Sequence, residues 1–431
     1  MNQTRGHLGN PAEGGIGVTT YTMAALMLAV FTVSVGYGVV LPLLPDLIER
    51  LLGASVPAQI SRHTGLLTAT YALSLFLFAP LWGWICDRHG PRGVLLIGLV
   101  GFAATMFVFS FIDSLVAMYA ERFLSGLFSA AVTPVAGATI GNFVTTEHGR
   151  ARRFAFVGMA GIAGFLLGPM LSVFVTRLAA RMFPVSLPAG SITVPLAATA
   201  VLALLASIVA AFAVQGGTGQ KRLPKALVVA GHKSKWLVPK LLALTFIVST
   251  GIGTFEVALA LRGKQELGLT PYQIASMFSE CSLVMFLIQA TVFSPWFKPE
   301  WTRWLIAPAL FILATALYLV PHASDFTLML AVIGAVAGSA GVLSPLLTYW
   351  ISARAGDAQG WALGRQTAAS SLGVTAGSAA GGLLYNIATL PGAALLLTAG
   401  LAALGFLLSL GLAKSLAVNG GGHGLSQRPC S

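Results

Sequence analysis

From Gly65 to Ile85 the chain carries no charged side chain, and this kind of stretch recurs along its length. Apolar runs long enough to cross a bilayer fall near 21–46, 64–86, 93–112, 115–139, 154–178, 195–214, 239–261, 272–294, 304–320, 326–350, 367–389 and 392–415. About 20 apolar residues span the hydrocarbon core as a helix. Helix is the open-ended element that satisfies its own backbone there. Twelve such runs predict an all-α polytopic membrane protein. Only 9% of the 431 residues are charged. A soluble chain carries about 25%, so a water-exposed globular fold is excluded.

The net charge of +12 does not point to nucleic acid, because the basic residues are scattered between apolar runs rather than gathered into a patch. With both termini on the cytoplasmic side, Lys and Arg fall inside over outside by about three to one, the bias that normally orients such chains. Residues 1–20 are polar and lack the basic-then-apolar order of a cleaved signal, so the first run is expected to remain in the membrane. Cys86, Cys281 and Cys430 have no disulfide or metal spacing. There is no phosphate-binding glycine loop, no zinc-protease motif and no nucleophile set beside a base, so neither enzyme activity nor a cofactor or metal is expected.

Residues 215–240, "QGGTGQKRLPKALVVAGHKSKWLVPK", form a basic connection between the sixth and seventh runs. They divide the chain into an N-terminal tail (1–20), a six-helix bundle (21–214), a cytoplasmic linker (215–238), a second six-helix bundle (239–415) and a C-terminal tail (416–431). The halves look duplicated. "GFLLGPMLS" in the fifth run pairs Gly164 and Gly168 as "GVTAGSAAGG" in the eleventh pairs Gly373 and Gly377. Nearly the same separation carries Gly83–Arg92 onto Ser294–Arg303. Parallel repeats of this kind build many transporters.

The second run ends in "GWICDRHGPRG". Gly83 permits close helix approach and Gly90 a tight turn with positive φ. Asp87 works against the basic bias of an inner loop, whereas Arg88 and Arg92 also suit a plain anchor. Gly83, Asp87, Arg88, Gly90 and Arg92 together resemble the loop signature of the major facilitator superfamily, with Gly93 where a second basic residue is common. The helix number, central linker and internal repeat extend the likeness over the whole chain, most closely to its twelve-helix drug/proton antiporters. That resemblance implies two pseudo-symmetric six-helix bundles that rock about a central site. It also implies a cytoplasmic gate in which Asp87 faces the start of the eleventh helix, near Gln366 and Thr367.

Three further stretches fit the resemblance. Pro42 and Pro45 follow Gly38 in the first run, where proline interrupts the helix ladder and lets it bend. In the fourth run, "YAERFLSGLFSAA" sets Glu121 and Arg122 inside the apolar segment. Charges there face a cavity or a partner. Arg122 and Gly126 match the family's fourth-helix signature, where the arginine is linked to proton coupling. A structural pair with Glu121, or snorkelling to the surface, reads the same residues equally well. In the fifth run, Gly164, Gly168 and Pro169 keep the core of the antiporter signature, although Ala155, Ser172 and Val173 stand where it has small or glycine residues. A kinked, flat-faced helix is expected there, packing against the other half.

Glu256 in the seventh run and Glu280 in the eighth are the acids of the second half. A carboxyl buried in apolar surroundings can hold a proton near neutral pH and exchange it for a cation. Glu280, Glu256, Arg122 and Glu121 are therefore the candidate substrate and proton-coupling residues, with Glu280 ahead of Glu256 because Arg262 lies close to Glu256 in sequence. Structural hydrogen bonding, or pairing of either acid with Arg122, is the competing reading. The expected function is proton-coupled export of small amphiphilic molecules by alternating access, by a monomer in the cell membrane (the inner membrane if the source is bacterial). The other readings are transport of a specific metabolite, siderophore or metal species, or a scaffold or receptor on the same fold.

Overall fold

The computed structural model describes residues 20–52, 56–143, 147–182, 193–214, 236–292, 301–323, 326–354, 359–387 and 392–417. The tails and nearly all of the 215–238 linker lie outside them. Every regular element among the described residues is helical. In chain order they are α1 (Thr20–Val40), α2 (Leu44–Leu52), α3 (Pro57–His89), α4 (Pro91–Phe109), α5 (Leu115–Ser129), α6 (Val132–Phe143), α7 (Glu147–Met182), α8 (Thr193–Ala213), α9 (Leu237–Gln265), α10 (Pro271–Val292), α11 (Thr302–Leu319), α12 (Phe326–Ser352), α13 (Gln359–Leu383), α14 (Ala393–Ser409) and α15 (Leu412–Ala417).

Two of the predicted runs are each built from two helices. The first bends where expected: Pro42 sits in a 3₁₀ turn, Leu41–Leu43, between α1 and α2, and Pro45 lies in the first turn of α2. The fourth is interrupted at Ala130 and Ala131, between α5 and α6. Counting α1–α2 and α5–α6 once each, ten helical segments among the described residues are long and apolar enough to cross a membrane. The shorter α14 is also apolar. The remaining long helix, α13, is rich in Gly, Ala, Ser and Thr. It gives up hydropathy for small side chains because it lies between other helices and must approach them closely.

The helices sort into two packed groups, α1–α8 and α9–α14, which meet chiefly through α3 against α13 and α7 against α10. The glycine pairs set the packing within each group. Gly164 and Gly168 on α7 lie against the carbonyls of Phe31 and Val35 on α1, and a methyl group on Gly168 would stand 2.8 Å from the Val35 oxygen. Gly373 and Gly377 on α13 lie against the carbonyls of Phe246 and Thr250 on α9. Each glycine helix thus rests on the first helix of its own group, with the same four-residue step on both sides. This corrects one expectation: the flat face of Gly164 and Gly168 serves α1, not the opposite half. The opposite half meets α7 on another face, where the Ser279 hydroxyl of α10 donates to the Leu166 carbonyl at 3.2 Å.

The α3/α13 seam is close along its length. A Cβ on Gly65 would fall 2.5 Å from the Ser378 oxygen and 2.6 Å from the Gly382 Cα. Toward the other end, a Cβ on Gly364 would fall 3.1 Å from the Ala79 oxygen.

Candidate functional site

Across the two groups, α9 is tied at two levels to the first predicted run, α1–α2. At the first, the Tyr37 hydroxyl donates to Glu256 Oε2 at 2.7 Å. Both side chains are half-buried. Glu256 makes no ion pair among the described residues. Arg262, its neighbour in sequence, instead pairs with Glu266 at 2.9 Å and donates to the carbonyls of Val320 and Ala323. Tyr37 belongs to an aromatic cluster: it stacks on Tyr71 of α3 (centroids 5.4 Å apart) and on Phe165 of α7 (5.7 Å), and Phe165 meets Phe278 of α10 edge-on at 5.9 Å. The Glu256 carboxyl is therefore bonded to one ring of an aromatic cluster to which both groups contribute. Ring faces carry negative quadrupole charge and attract cations.

On the far side of Tyr71 lies the second acid. Arg122 Nε and Nη2 donate to the two oxygens of Glu121 at 2.7 and 3.0 Å, a two-pronged pair with both residues only 3% exposed. The guanidinium also lies over Phe109 at 4.6 Å and over Tyr71 at 5.7 Å. Gly126, one turn on, allows this packing, because its Cα faces Tyr71 and Ser74 of α3 with no room for a methyl group. The structure thus joins Arg122, Tyr71, Tyr37 and Glu256 in one chain of contacts, with Glu121 closing its end.

Glu280 is not brought to this chain. It lies on an exposed stripe of α10 with Ser276, Leu283 and Leu287, while Phe278, Ser282 and Gln289 of the same helix turn inward.

At the second level, Lys264 near the end of α9 pairs with Asp46 and with Glu49 of α2, the latter at 2.7 Å. Beside it, Gln265 Nε2 donates to the Pro57 carbonyl at 3.0 Å and to Ser61 Oγ at 2.8 Å, and Asn386 Nδ2 reaches the same hydroxyl at 2.7 Å. Sequence reasoning missed this seal, as it missed Tyr37 and Tyr71. One signal was available: a phenol in an apolar run needs a partner for its hydroxyl.

The opposite end of the seam holds the loop motif. Gly90 adopts φ 87°, the left-handed region that favours glycine, and ends α3 just before Pro91 opens α4. Gly83 is buried, and Arg88 and Arg92 are exposed. Asp87 Oδ2 accepts from the backbone N–H of Trp361, in the first turn of α13, at 3.1 Å. The contact falls at the start of the eleventh helix as expected, but about one turn earlier than Gln366, because α13 begins at Gln359. First-turn N–H groups lack helical partners and favour a negative charge.

The Major Facilitator Superfamily model matches residues 26–324. The chain belongs to the Major Facilitator Superfamily. It is a multi-pass membrane protein with the fold of a transporter rather than an enzyme. Among its relatives, Multidrug resistance protein 1 of Bacillus subtilis (strain 168) is 25% identical over 379 residues, covering 85% of this chain and 90% of that protein. Quinolone resistance protein NorA of Staphylococcus aureus (strain COL) is 25% identical over 360 residues, covering 83% and 88%. Among solved structures, the human organic anion transporter MFSD10 (TETRAN) superposes with a TM-score of 0.74 at 20% identity, covering 90% of this chain and 99% of that one. FucP in the outward conformation superposes with a TM-score of 0.63 at 15% identity, covering 91% and 99%. Both likenesses concern the fold.

Proposed function

We propose that this superfamily member exports amphiphilic organic cations in exchange for protons, with Glu256 as the exchanging group. The observation that carries the reading is the Tyr37–Glu256 hydrogen bond inside an aromatic cluster built from both helix groups. A carboxyl with a phenol as its one hydrogen-bond partner among the described residues can be neutral when protonated and can face a cation when ionised. It cannot do both at once, and that exclusivity is what exchange requires. The ring faces suit a planar or bulky apolar cation. The relatives' names, multidrug and quinolone resistance, favour export of such molecules over a metabolite, siderophore or metal species.

The two seals supply the alternation. The Asp87–Trp361 contact closes one end and the Lys264–Asp46–Glu49 cluster the other. Opening toward one side requires the corresponding contacts to part. Proton or substrate shifts that balance only through different affinity for the two states. The basic bias of the loops supports an orientation with the Asp87 end and both termini in the cytoplasm. A monomer is sufficient, since both halves of the site come from one chain. Arg122 acts through Tyr71, holding the ring on which Tyr37 stacks.

The test is transport in proteoliposomes. An imposed pH gradient is expected to drive accumulation of an aromatic cation, and Glu256→Gln is expected to abolish that drive. Unchanged gradient-driven transport by the variant would refute the assignment.

A further inference from the structure

Among the described residues the tryptophans are distributed on one side. Trp84 ends α3 beside Asp87, Trp236 caps the start of α9, Trp301 and Trp304 open α11, and Trp361 opens α13. All five are exposed, between 43% and 81%. Trp82 and Trp350 lie at the same level but turn partly inward. Because successive helices alternate in direction, each of these ends lies at the Asp87 end of the bundle. Among the described residues, the Lys264 end has no tryptophan. Aromatic belts usually mark both interfaces of a membrane protein.

At the α3/α13 seam the belt becomes a built feature. Arg88 lies over the Trp84 ring at 4.1 Å, one turn along α3, and Arg365 lies 6.0 Å from the Trp361 ring, one turn along α13. The Asp87–Trp361 hydrogen bond brings these two pairs together, one from each helix group. Both arginines are exposed, and neither forms an ion pair among the described residues. Deeper in the membrane, Leu77 and Leu81 continue the exposed stripe of α3, and Leu372 that of α13. Two fixed cations, two interfacial indoles and an apolar track match one kind of molecule end to end.

We infer that the α3/α13 seam binds an anionic phospholipid, its phosphate between Arg88 and Arg365 and its acyl chains along the leucine stripes. Guanidinium groups recognise phosphate through paired N–H donors, and stacking on an indole holds the group in place with little loss of freedom on binding. The indoles sit at headgroup depth, where their N–H stays wet. A lipid bound there touches both groups of helices next to the Asp87–Trp361 contact and braces that end. This inference does not depend on the transported cargo.

The test uses the full chain in nanodiscs of phosphatidylcholine containing a fixed minor fraction of lipid brominated on its acyl chains, either phosphatidylglycerol or phosphatidylcholine. Bromine quenches nearby indoles. The wild type is expected to be quenched at least twofold more by the brominated phosphatidylglycerol, and millimolar inorganic phosphate is expected to leave that excess in place. Arg88→Gln/Arg365→Gln is expected to remove most of the excess while staying monodisperse and fully helical. Trp84→Phe/Trp361→Phe is expected to remove it as well, since these are the reporting indoles. Equal quenching by the two lipids in the wild type would overturn the inference. So would an excess that survives the double arginine change, or one that free phosphate displaces.

Discussion

Glu121 and Glu256 are both acids within membrane-spanning helices, yet their surroundings differ in kind. Glu121 is clasped by both prongs of Arg122, within one helix and one half. Glu256 is held by a phenol from the other half. A carboxylate permanently matched by a guanidinium has little reason to change its charge. A carboxyl whose partner is a neutral hydroxyl can change it, and because that hydroxyl belongs to the opposite half, the change bears on how the halves sit together. Sequence reasoning placed both among the candidate coupling residues; the identity of the partner separates them.

Breaking the Glu121 pair gives the largest expected effect. Arg122→Met strands a buried carboxylate, which typically costs about 3–5 kcal/mol. The expected outcome is a sharp fall in thermal stability and folded yield, measured by fluorescence-detected size exclusion. Restoring neutrality with Glu121→Gln in the same chain is expected to recover most of it. A stable, fully active Arg122→Met single variant would show that the pair is not structural.

Tyr37→Phe sharpens the other side of the comparison. A hydrogen bond to a charged group contributes roughly 1.5–3 kcal/mol. Losing it removes support from the ionised form of Glu256. The pH midpoint of transport is therefore expected to move upward, while the fold is retained because the ring still stacks. An unmoved midpoint would mean that the phenol does not tune the acid.

Lys264→Ala should be milder. Its ion pairs are partly exposed, and such pairs contribute about 0.2–1 kcal/mol. A few-fold rise in labelling of a cysteine introduced near Ser61 is expected as the seal loosens; no change would place the seal's strength in Gln265 and Asn386 instead. Smallest of all is Glu280→Gln, expected to leave rate and pH profile unaltered because the side chain is exposed and stands outside the Tyr37–Glu256 chain of contacts. A lost pH response in that variant would return the coupling role to Glu280.

Much of the architecture was legible because lipid imposes a simple rule: an apolar run becomes a helix. The bend at Pro42 and the turn at Gly90 followed from backbone chemistry alone. Helix ends did not, since a charge ends an apolar run without ending a helix: α3 starts at Pro57 and α13 at Gln359, each well before its run. The site was half legible. An acid in an apolar run announces itself, but Tyr37 and Glu256 lie 219 residues apart, and no local pattern pairs them. Hydropathy could not place Glu280 either, because Leu283 and Leu287 on its stripe are exposed yet as apolar as core residues. The repeat glycines were found, but their partner was not, because Gly164 and Gly168 offer the same smooth face to α1 as they would to the opposite half.

The central claim is that Glu256 gives up its proton when an organic cation binds. It is tested most directly by proton release from purified protein in weakly buffered detergent near neutral pH, on addition of tetraphenylphosphonium. The account predicts a release that scales with bound cation in the wild type and disappears in Glu256→Gln. Release of equal size from both proteins, or cation binding to the wild type with no release across the pH range of transport, would contradict it.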